Sequence, residues 1–333
     1  MNILVVGGAG YIGSHMLLRL AEEGCRVTTL DNLSSGHRDA VLHGDFVHGD
    51  VADAPLLADL FAGGRFDAVM HFASCIQVGE SVEQPGKYYR NNVSNTLNLL
   101  EAMRSFGVKR FIFSSTAAIF GEPQYTPMDE AHPQRPINPY GRSKWMVEQM
   151  LPDMDRAWGL KSVSLRYFNA AGADAQGRLG ERHDPETHLI PLVLQAASGR
   201  RSEIKVFGRD YDTPDGTCIR DYIHIADLCA AHSAALRHLA DGGASDAFNL
   251  GNGNGFSVQQ VIDVARQVTG RPIPVVDAPR RDGDPACLVA DASRALQLLA
   301  WKPRFERLKT IVGHAWAWEQ MREVAPGRRQ AAS

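Results

Sequence analysis

The sequence predicts an α/β chain built on a doubly wound parallel sheet, with a smaller α/β domain towards its carboxyl end. Three observations carry that prediction. Short continuous apolar runs alternate with longer amphipathic segments through the first half, a glycine-rich turn follows the first run directly, and past residue 172 glycine and proline divide the chain into shorter elements. Continuous apolar runs suit strands covered on both faces, and a strand–helix–strand alternation makes neighbouring strands parallel.

Taken in order, residues 3–6 (Ile-Leu-Val-Val) open the sheet, and 26–30, 67–72, 110–114 and 161–166 continue it. Helical patterns at about 13–23, 54–62, 92–106 and 140–158 supply the crossovers, whose right-handedness sets the winding. After residue 172 the punctuation is dense, as in Asp210-Tyr211-Asp212-Thr213-Pro214-Asp215-Gly216 and Arg280-Arg281-Asp282-Gly283-Asp284-Pro285. The helical stretch 225–240 and the short run 247–250 read as returning to the first sheet. The expected division is therefore discontinuous: 1–171 with 225–250 as the sheet domain, 172–224 with 251–325 as the smaller one, and 326–333 as a tail.

Composition limits the function classes. A length of 333 residues exceeds the ~150 of a typical single domain, and 44% hydrophobic with 22% charged residues is ordinary for a globular protein. A net charge of −3 provides no basic field for nucleic acid or anionic lipid, so a small molecule is the expected partner. Five cysteines (Cys25, Cys75, Cys218, Cys229 and Cys287) are odd in number and widely spaced, which reads as reduced thiols and calls for no metal. No apolar run approaches the ~18 residues of a membrane span, and Met1 leads straight into a strand rather than a signal peptide. A cytoplasmic protein is the expectation.

The first chemical signal is Gly7-Gly8-Ala9-Gly10-Tyr11-Ile12-Gly13, placed between a strand and an apolar helix. Glycines there let the backbone turn tightly and approach a pyrophosphate, which the helix amino terminus then holds. A turn without a ligand is the bland alternative, and the strand–glycine–helix order weighs against it. Asp31, followed by Asn32, ends the second strand about 20 residues on, where a carboxylate accepts hydrogen bonds from ribose and repels a 2′-phosphate. The cofactor expected is NAD, in a Rossmann-type domain. Asp50 and Val51, after another short run, are placed to flank its adenine.

The second signal is Tyr140 and Lys144, four apart on one helix face. A phenol with an ordinary pKa near ~10 acts as a base at neutral pH only if a positive charge favours phenolate. Lys144 supplies that charge. Upstream, Phe111-Ile112-Phe113-Ser114-Ser115-Thr116 ends a strand in hydroxyls at the carboxyl edge of the sheet, and Thr116 is the candidate partner of a sugar hydroxyl.

Together with His71-Phe72-Ala73, Tyr88-Tyr89-Arg90-Asn91-Asn92-Val93, Leu165-Arg166-Tyr167-Phe168-Asn169 and the stretch Asp215 to His224, these motifs resemble the extended short-chain dehydrogenase/reductase family, and within it the sugar-nucleotide epimerases. The resemblance runs from residue 3 to about 301. It implies that Tyr11, Ile12, Phe72, Ala73, Asn92, Ser114, Tyr167, Tyr140 and Lys144 meet NAD. It also implies that Asn169, His188, Leu189, Phe207, Arg220, Arg281, Asp284 and Leu288, with Thr116 and Tyr140, line a pocket for a UDP-sugar such as UDP-glucose or UDP-galactose. Forked guanidiniums suit a diphosphate and Phe207 suits a flat uracil.

Three departures from the family pattern stand out. Ser74-Cys75-Ile76 lacks a lysine found there in well-known bacterial members, His188 replaces an asparagine, and Leu288 replaces the tyrosine that in some members narrows the space beside the sugar 2-substituent. Inversion at C4 through a transient 4-keto sugar is the implied reaction, in a homodimer. A 4,6-dehydratase would need an Asp-Glu pair after the threonine, where Ala117-Ala118 stands. A UDP-pentose or UDP-N-acetylhexosamine epimerase is the near alternative, and a non-catalytic NAD sensor the distant one.

Overall fold

The computed structural model describes residues 1–281 and 283–324; the expected tail at 326–333 lies outside the described residues. Strands β1 (Asn2–Val6), β2 (Arg26–Asp31), β3 (Asp45–His48), β4 (Ala68–His71), β5 (Arg110–Thr116) and β6 (Lys161–Tyr167) come first. β7 (Asn169–Ala171), β8 (Ile204–Phe207), β9 (Ile219–Arg220), β10 (Tyr222–His224), β11 (Asp246–Leu250), β12 (Phe256–Ser257), β13 (Val275–Ala278) and β14 (Cys287–Leu288) follow. The helices are α1 (Tyr11–Glu22), α2 (Ala54–Gly64), α3 (Val78–Glu83), α4 (Pro85–Tyr88), α5 (Asn95–Ser105), α6 (Pro139–Trp158), α7 (Leu189–Ser198), α8 (Ile225–Ala240), α9 (Val258–Thr269), α10 (Ser293–Leu298) and α11 (Leu308–Val324).

Seven parallel strands form the main sheet in the order β11-β6-β5-β4-β1-β2-β3, which is the doubly wound arrangement the sequence predicts. Alternate side chains of each strand feed two different cores. Ile3 and Val5 pack with Met16 and Leu17 of α1 and with Leu228 and Ala235 of α8. Leu4 and Val6 pack with Leu57 and Phe61 of α2, Leu99 and Leu100 of α5, and Val147 and Leu151 of α6. Burial on both faces is why these strands read as continuous apolar runs rather than alternating ones.

β11 pairs with β6 from Asp246↔Val163 to Leu250↔Tyr167, so residues far along the chain supply the seventh strand. A third core, built from Val193 and Leu194 of α7, Val261 and Ile262 of α9, and Ile311, Val312 and Trp316 of α11, sits with the short sheets β13-β8 and β12-β9-β14. The helix expected at 92–106 is interrupted at its start. A π-helical turn, Tyr89–Ser94, precedes α5 and turns the Asn92 side chain inward, where it is 1% exposed. Among the described residues no helix is long and apolar enough to cross a membrane.

Candidate functional site

Strand order reverses direction between β1 and β4, and doubly wound sheets open a ligand crevice at that point beyond the strand carboxyl ends. Gly7 sits in this crevice with φ +83, and a Cβ there would lie 2.4 Å from the Ala73 amide nitrogen. Only glycine tolerates both the conformation and the approach. A Cβ on Gly13 would lie 2.1 Å from Gly7 O, so the start of α1 packs directly on the turn, whereas one on Gly10 would meet only Gly7 O at 3.4 Å. Helix α1 opens with no side-chain cap and no acidic residue in its first turn. Its free amides and positive dipole end therefore remain for an anion.

Asp31 is buried at the end of β2; its Oδ2 accepts from Ala9 N at 2.9 Å and its Oδ1 from Leu33 N at 2.8 Å. The carboxylate thus braces the glycine turn. Asn32 Nδ2 donates to Asp50 Oδ2 at 2.7 Å, and Val51 is buried among the residues beneath. A bare helix terminus that offers amide donors, a glycine with space at its Cβ and a carboxylate acceptor at the strand end together fit the pyrophosphate and unphosphorylated ribose of NAD.

Helix α6 carries Tyr140 and Lys144. Asn138 caps it by accepting from Gly141 N at 2.8 Å, and Pro139 occupies the first turn. Gly141 lies against the turn after β5: a Cβ there would be 2.4 Å from Ala118 O, so this glycine sets how closely Tyr140 approaches Thr116. The Thr116 oxygen accepts from Ala118 N at 3.1 Å, capping the turn Ala117–Ile119 and leaving its hydroxyl proton to donate. Lys144, 3% exposed, donates from Nζ to Ser74 Oγ at 2.6 Å and to Ser114 O at 2.8 Å, and stands 4.9 Å over the Phe113 ring.

Burial dominates the electrostatics of this pair. It lowers the Lys144 pKa to about 7, against the opposing charges of Cys75 and Glu148, and it raises that of Tyr140, against the Thr116 hydroxyl. Burial drives both groups towards their neutral forms. A further positive charge entering the crevice is what would tip Tyr140 towards phenolate. One turn beyond Lys144, Glu148 holds Arg166 through Nε–Oε2 at 3.1 Å and Nη2–Oε2 at 2.6 Å and accepts the Ser115 hydroxyl, pinning α6 to β5 and β6.

Both lobes line one cleft of about 610 Å³, within the range typical of small-molecule sites. It brings together Gly7, Gly10, Tyr11, Ile12, Gly13, Phe72, Thr116, Tyr140, Lys144 and Tyr167 from the sheet side. Asn169 follows Tyr167 on that side, and from the other lobe come His188, Leu189, Phe207, Arg220, Arg281, Asp284 and Leu288. Asp31, Asn32, Asp50, Val51, Ala73, Asn92 and Ser114 are not among its lining residues. Asn92 Nδ2 donates to Ser143 Oγ at 2.9 Å and to Cys75 O at 3.0 Å, while Ser114 Oγ shares a hydrogen bond with Tyr167 OH at 2.5 Å.

On the far side Arg220 is ion-paired with Asp284, and the Arg281 guanidinium lies 3.9 Å over the Phe207 ring. Leu288 pairs beside Arg220 across β14 and β9, and packs with Ile119, Phe120 and Met128. Asn169 Nδ2 donates to Asp221 O at 2.9 Å, and His188 is the residue that enters α7. Several residues escaped the sequence reading. Ser74 as the Lys144 acceptor, Gly141 as the close approach, and Arg201 and Lys205 as further cations on the cleft wall have no signal in local pattern. Glu181-x-His183-x-x-Glu186-x-His188 did carry one, as a His/Glu spacing.

The model of the NAD dependent epimerase/dehydratase family matches residues 3–251. The chain is 54% identical, over 320 residues and 96% of each chain, to the UDP-glucose 4-epimerase of Halalkalibacterium halodurans. To that of Rhizobium meliloti it is 52% identical over 321 residues, 96% of this chain and 98% of the relative. The crystal structure of UDP-glucose 4-epimerase from Brucella ovis in complex with NAD superposes with a TM-score of 0.93 at 50% identity, covering 95% of this chain and 97% of that one.

Proposed function

Because the chain belongs to the NAD dependent epimerase/dehydratase family, we propose that it interconverts UDP-glucose and UDP-galactose by inverting C4 through a transient 4-keto sugar. The observation that carries this reading is the meeting of Tyr140, Thr116 and Lys144 with Arg220, Arg281 and Phe207 in one cleft. NAD, held by the glycine turn and Asp31, would supply the reversible hydride acceptor for C4. Tyr140 phenolate takes the 4-hydroxyl proton and later gives it back. Thr116 donates to the 4-oxygen, holding it towards Tyr140, and Lys144 stabilises the phenolate by charge. Arg220 and Arg281 grip the diphosphate, so the ketose turns over without leaving.

The absence of an acid pair after Thr116 supports epimerisation over elimination, since Ala117 and Ala118 have no proton to give. We further assign residues 1–171 with 225–250 to the NAD-binding unit and 172–224 with 251–325 to the UDP-sugar unit. The protein acts in the cytoplasm as a homodimer, an assembly supported by Met146 on α6 and by Val82 on α3, both apolar and exposed. The test is incubation of purified protein with UDP-galactose without added cofactor. UDP-glucose should form at the expense of UDP-galactose, with no net NADH; absence of conversion despite bound NAD would sink the assignment. A parallel panel with UDP-N-acetylgalactosamine and UDP-arabinose reads the space beside Leu288.

A further inference from the structure

We propose that Glu181, His183, Glu186 and His188 form a binding site for a divalent transition-metal ion, zinc by preference, on the cleft wall that His183 and His188 line. The sequence reading, guided by cysteine, called for no metal. These four residues occupy the loop that leads into α7, and each brings one ligand atom to within 4.8 Å of the others. The site is empty. His183 Nδ1 lies 3.0 Å from Glu181 Oε1 and 3.8 Å from Glu186 Oε1, and His188 Nδ1 meets the same Glu181 oxygen. Zinc bonds of ~2.0–2.1 Å place tetrahedral ligands roughly 3.4 Å apart; the two His183 separations lie on either side of that spacing, while the short His188–Glu181 hydrogen bond must open to admit the ion. The two imidazole rings stand at 82° with centroids 5.2 Å apart, as rings on two corners of one tetrahedron do.

The surroundings also favour a cation. The Glu181 and Glu186 side chains are 5% and 6% exposed, yet among the described residues neither has a lysine or arginine ion-pair partner. Two buried carboxylates whose only charged partners are imidazoles need either protons on those rings or a cation between them, and two neutral imidazoles with a dication bring the sum to zero. Two nitrogen and two oxygen donors suit zinc or its neighbours rather than magnesium or calcium. The loop is already braced for the task. Glu186 Oε1 accepts from Thr187 N at 2.8 Å and His188 N at 2.9 Å, which fixes the carboxylate beside His183. Glu181 O accepts from Trp318 Nε1 at 3.1 Å, and Tyr11 packs edge-on to His183. The rival occupant is a pair of protons on the two histidines.

The experiment is direct titration of chelator-treated full-length protein with Zn²⁺ and with Co²⁺, read by calorimetry, metal analysis and visible absorption, none of which depends on turnover. One equivalent is expected, with micromolar or tighter affinity and the intense d–d bands of tetrahedral Co²⁺. Glu186→Gln and His183→Gln should each weaken Zn²⁺ binding at least tenfold and weaken the Co²⁺ bands, whereas His43→Ala, at an exposed histidine elsewhere, should leave both unchanged. Zn²⁺ should raise the melting temperature of the parent and not that of Glu186→Gln. A parent protein that takes up no stoichiometric Zn²⁺ overturns the proposal outright. Equal affinity in the loop variants, or octahedral Co²⁺ bands only, overturns it in favour of adventitious binding or the proton pair.

Discussion

Gly141→Ala isolates the close approach that sets Tyr140 against Thr116. A Cβ at this position would stand 2.4 Å from Ala118 O, 3.0 Å from the Ala118 carbonyl carbon and 3.1 Å from Pro136 Cβ. The first two obstacles are backbone, so no rotamer change relieves them. Since carbon and oxygen rest at roughly 3.3 Å, the first turn of α6 and the turn after β5 must separate by roughly 0.9 Å. Overpacking of this kind costs about 1–3 kcal/mol, while alanine in place of glycine in a helix returns up to ~1 kcal/mol. The variant should therefore fold and retain NAD. Catalysis should fare worse, because misplacing reacting groups by about 1 Å costs on the order of 100-fold, or ~2.7 kcal/mol of barrier. The assay is UDP-galactose conversion by purified variant and parent, beside a thermal melt and the NAD content of each. A folded, NAD-loaded variant whose kcat stays within about threefold of the parent refutes the reasoning.

Tyr140→Phe should lower kcat by about 10²–10⁴ with NAD content unchanged; turnover close to that of the parent removes Tyr140 from its role. Lys144, brought to about 7 by burial, is charged in both folded and unfolded states below that pH and adds no slope there. Between about pH 7 and its ordinary ~10.4 the unfolded chain holds more protons, so stability of the ligand-free protein rises with pH by up to ~1.4 kcal/mol per unit from this group. Lys144→Met should lack that rise in denaturant melts at two alkaline pH values, and a parent-minus-variant difference that stays flat contradicts it. Glu148→Ala leaves Arg166 buried without its partner and should cost about 3–5 kcal/mol, read from the urea midpoint; a loss below about 1 kcal/mol would mean that water reaches the guanidinium.

Legibility from sequence tracked the range of the interaction. Residues 225–240 were readable as a helix because their apolar stripe has its own period, and α8 spans the same residues. Strand β5 runs to Thr116, two residues past the last position expected, because Ser115↔Arg166 and Thr116↔Tyr167 still pair with β6. Residues 92–94 read as the start of an α-helix. Their π turn instead follows from what Asn92 finds across the fold, namely Cys75 and Ser143. Arg220 and Arg281 were legible as cations for a phosphate. That the first pairs with Asp284, 64 residues away, and the second stacks on Phe207 was not legible, because a side chain's partner depends on which loops meet.

By itself the sequence determined the winding of the sheet, the glycine turn, the acidic strand end and the Tyr140–Lys144 spacing. Each rests on local periodicity or on a backbone geometry that few residue types tolerate. Only the tertiary structure decided how those pieces act together. Gly141 meets Ala118, Ser74 receives Lys144, and Glu148 ties α6 to the strands carrying Thr116 and Tyr167. The loop before α7 likewise gathers two histidines around two buried carboxylates. Such contacts join residues remote in the chain, or turn near neighbours inward, and burial then sets their charges.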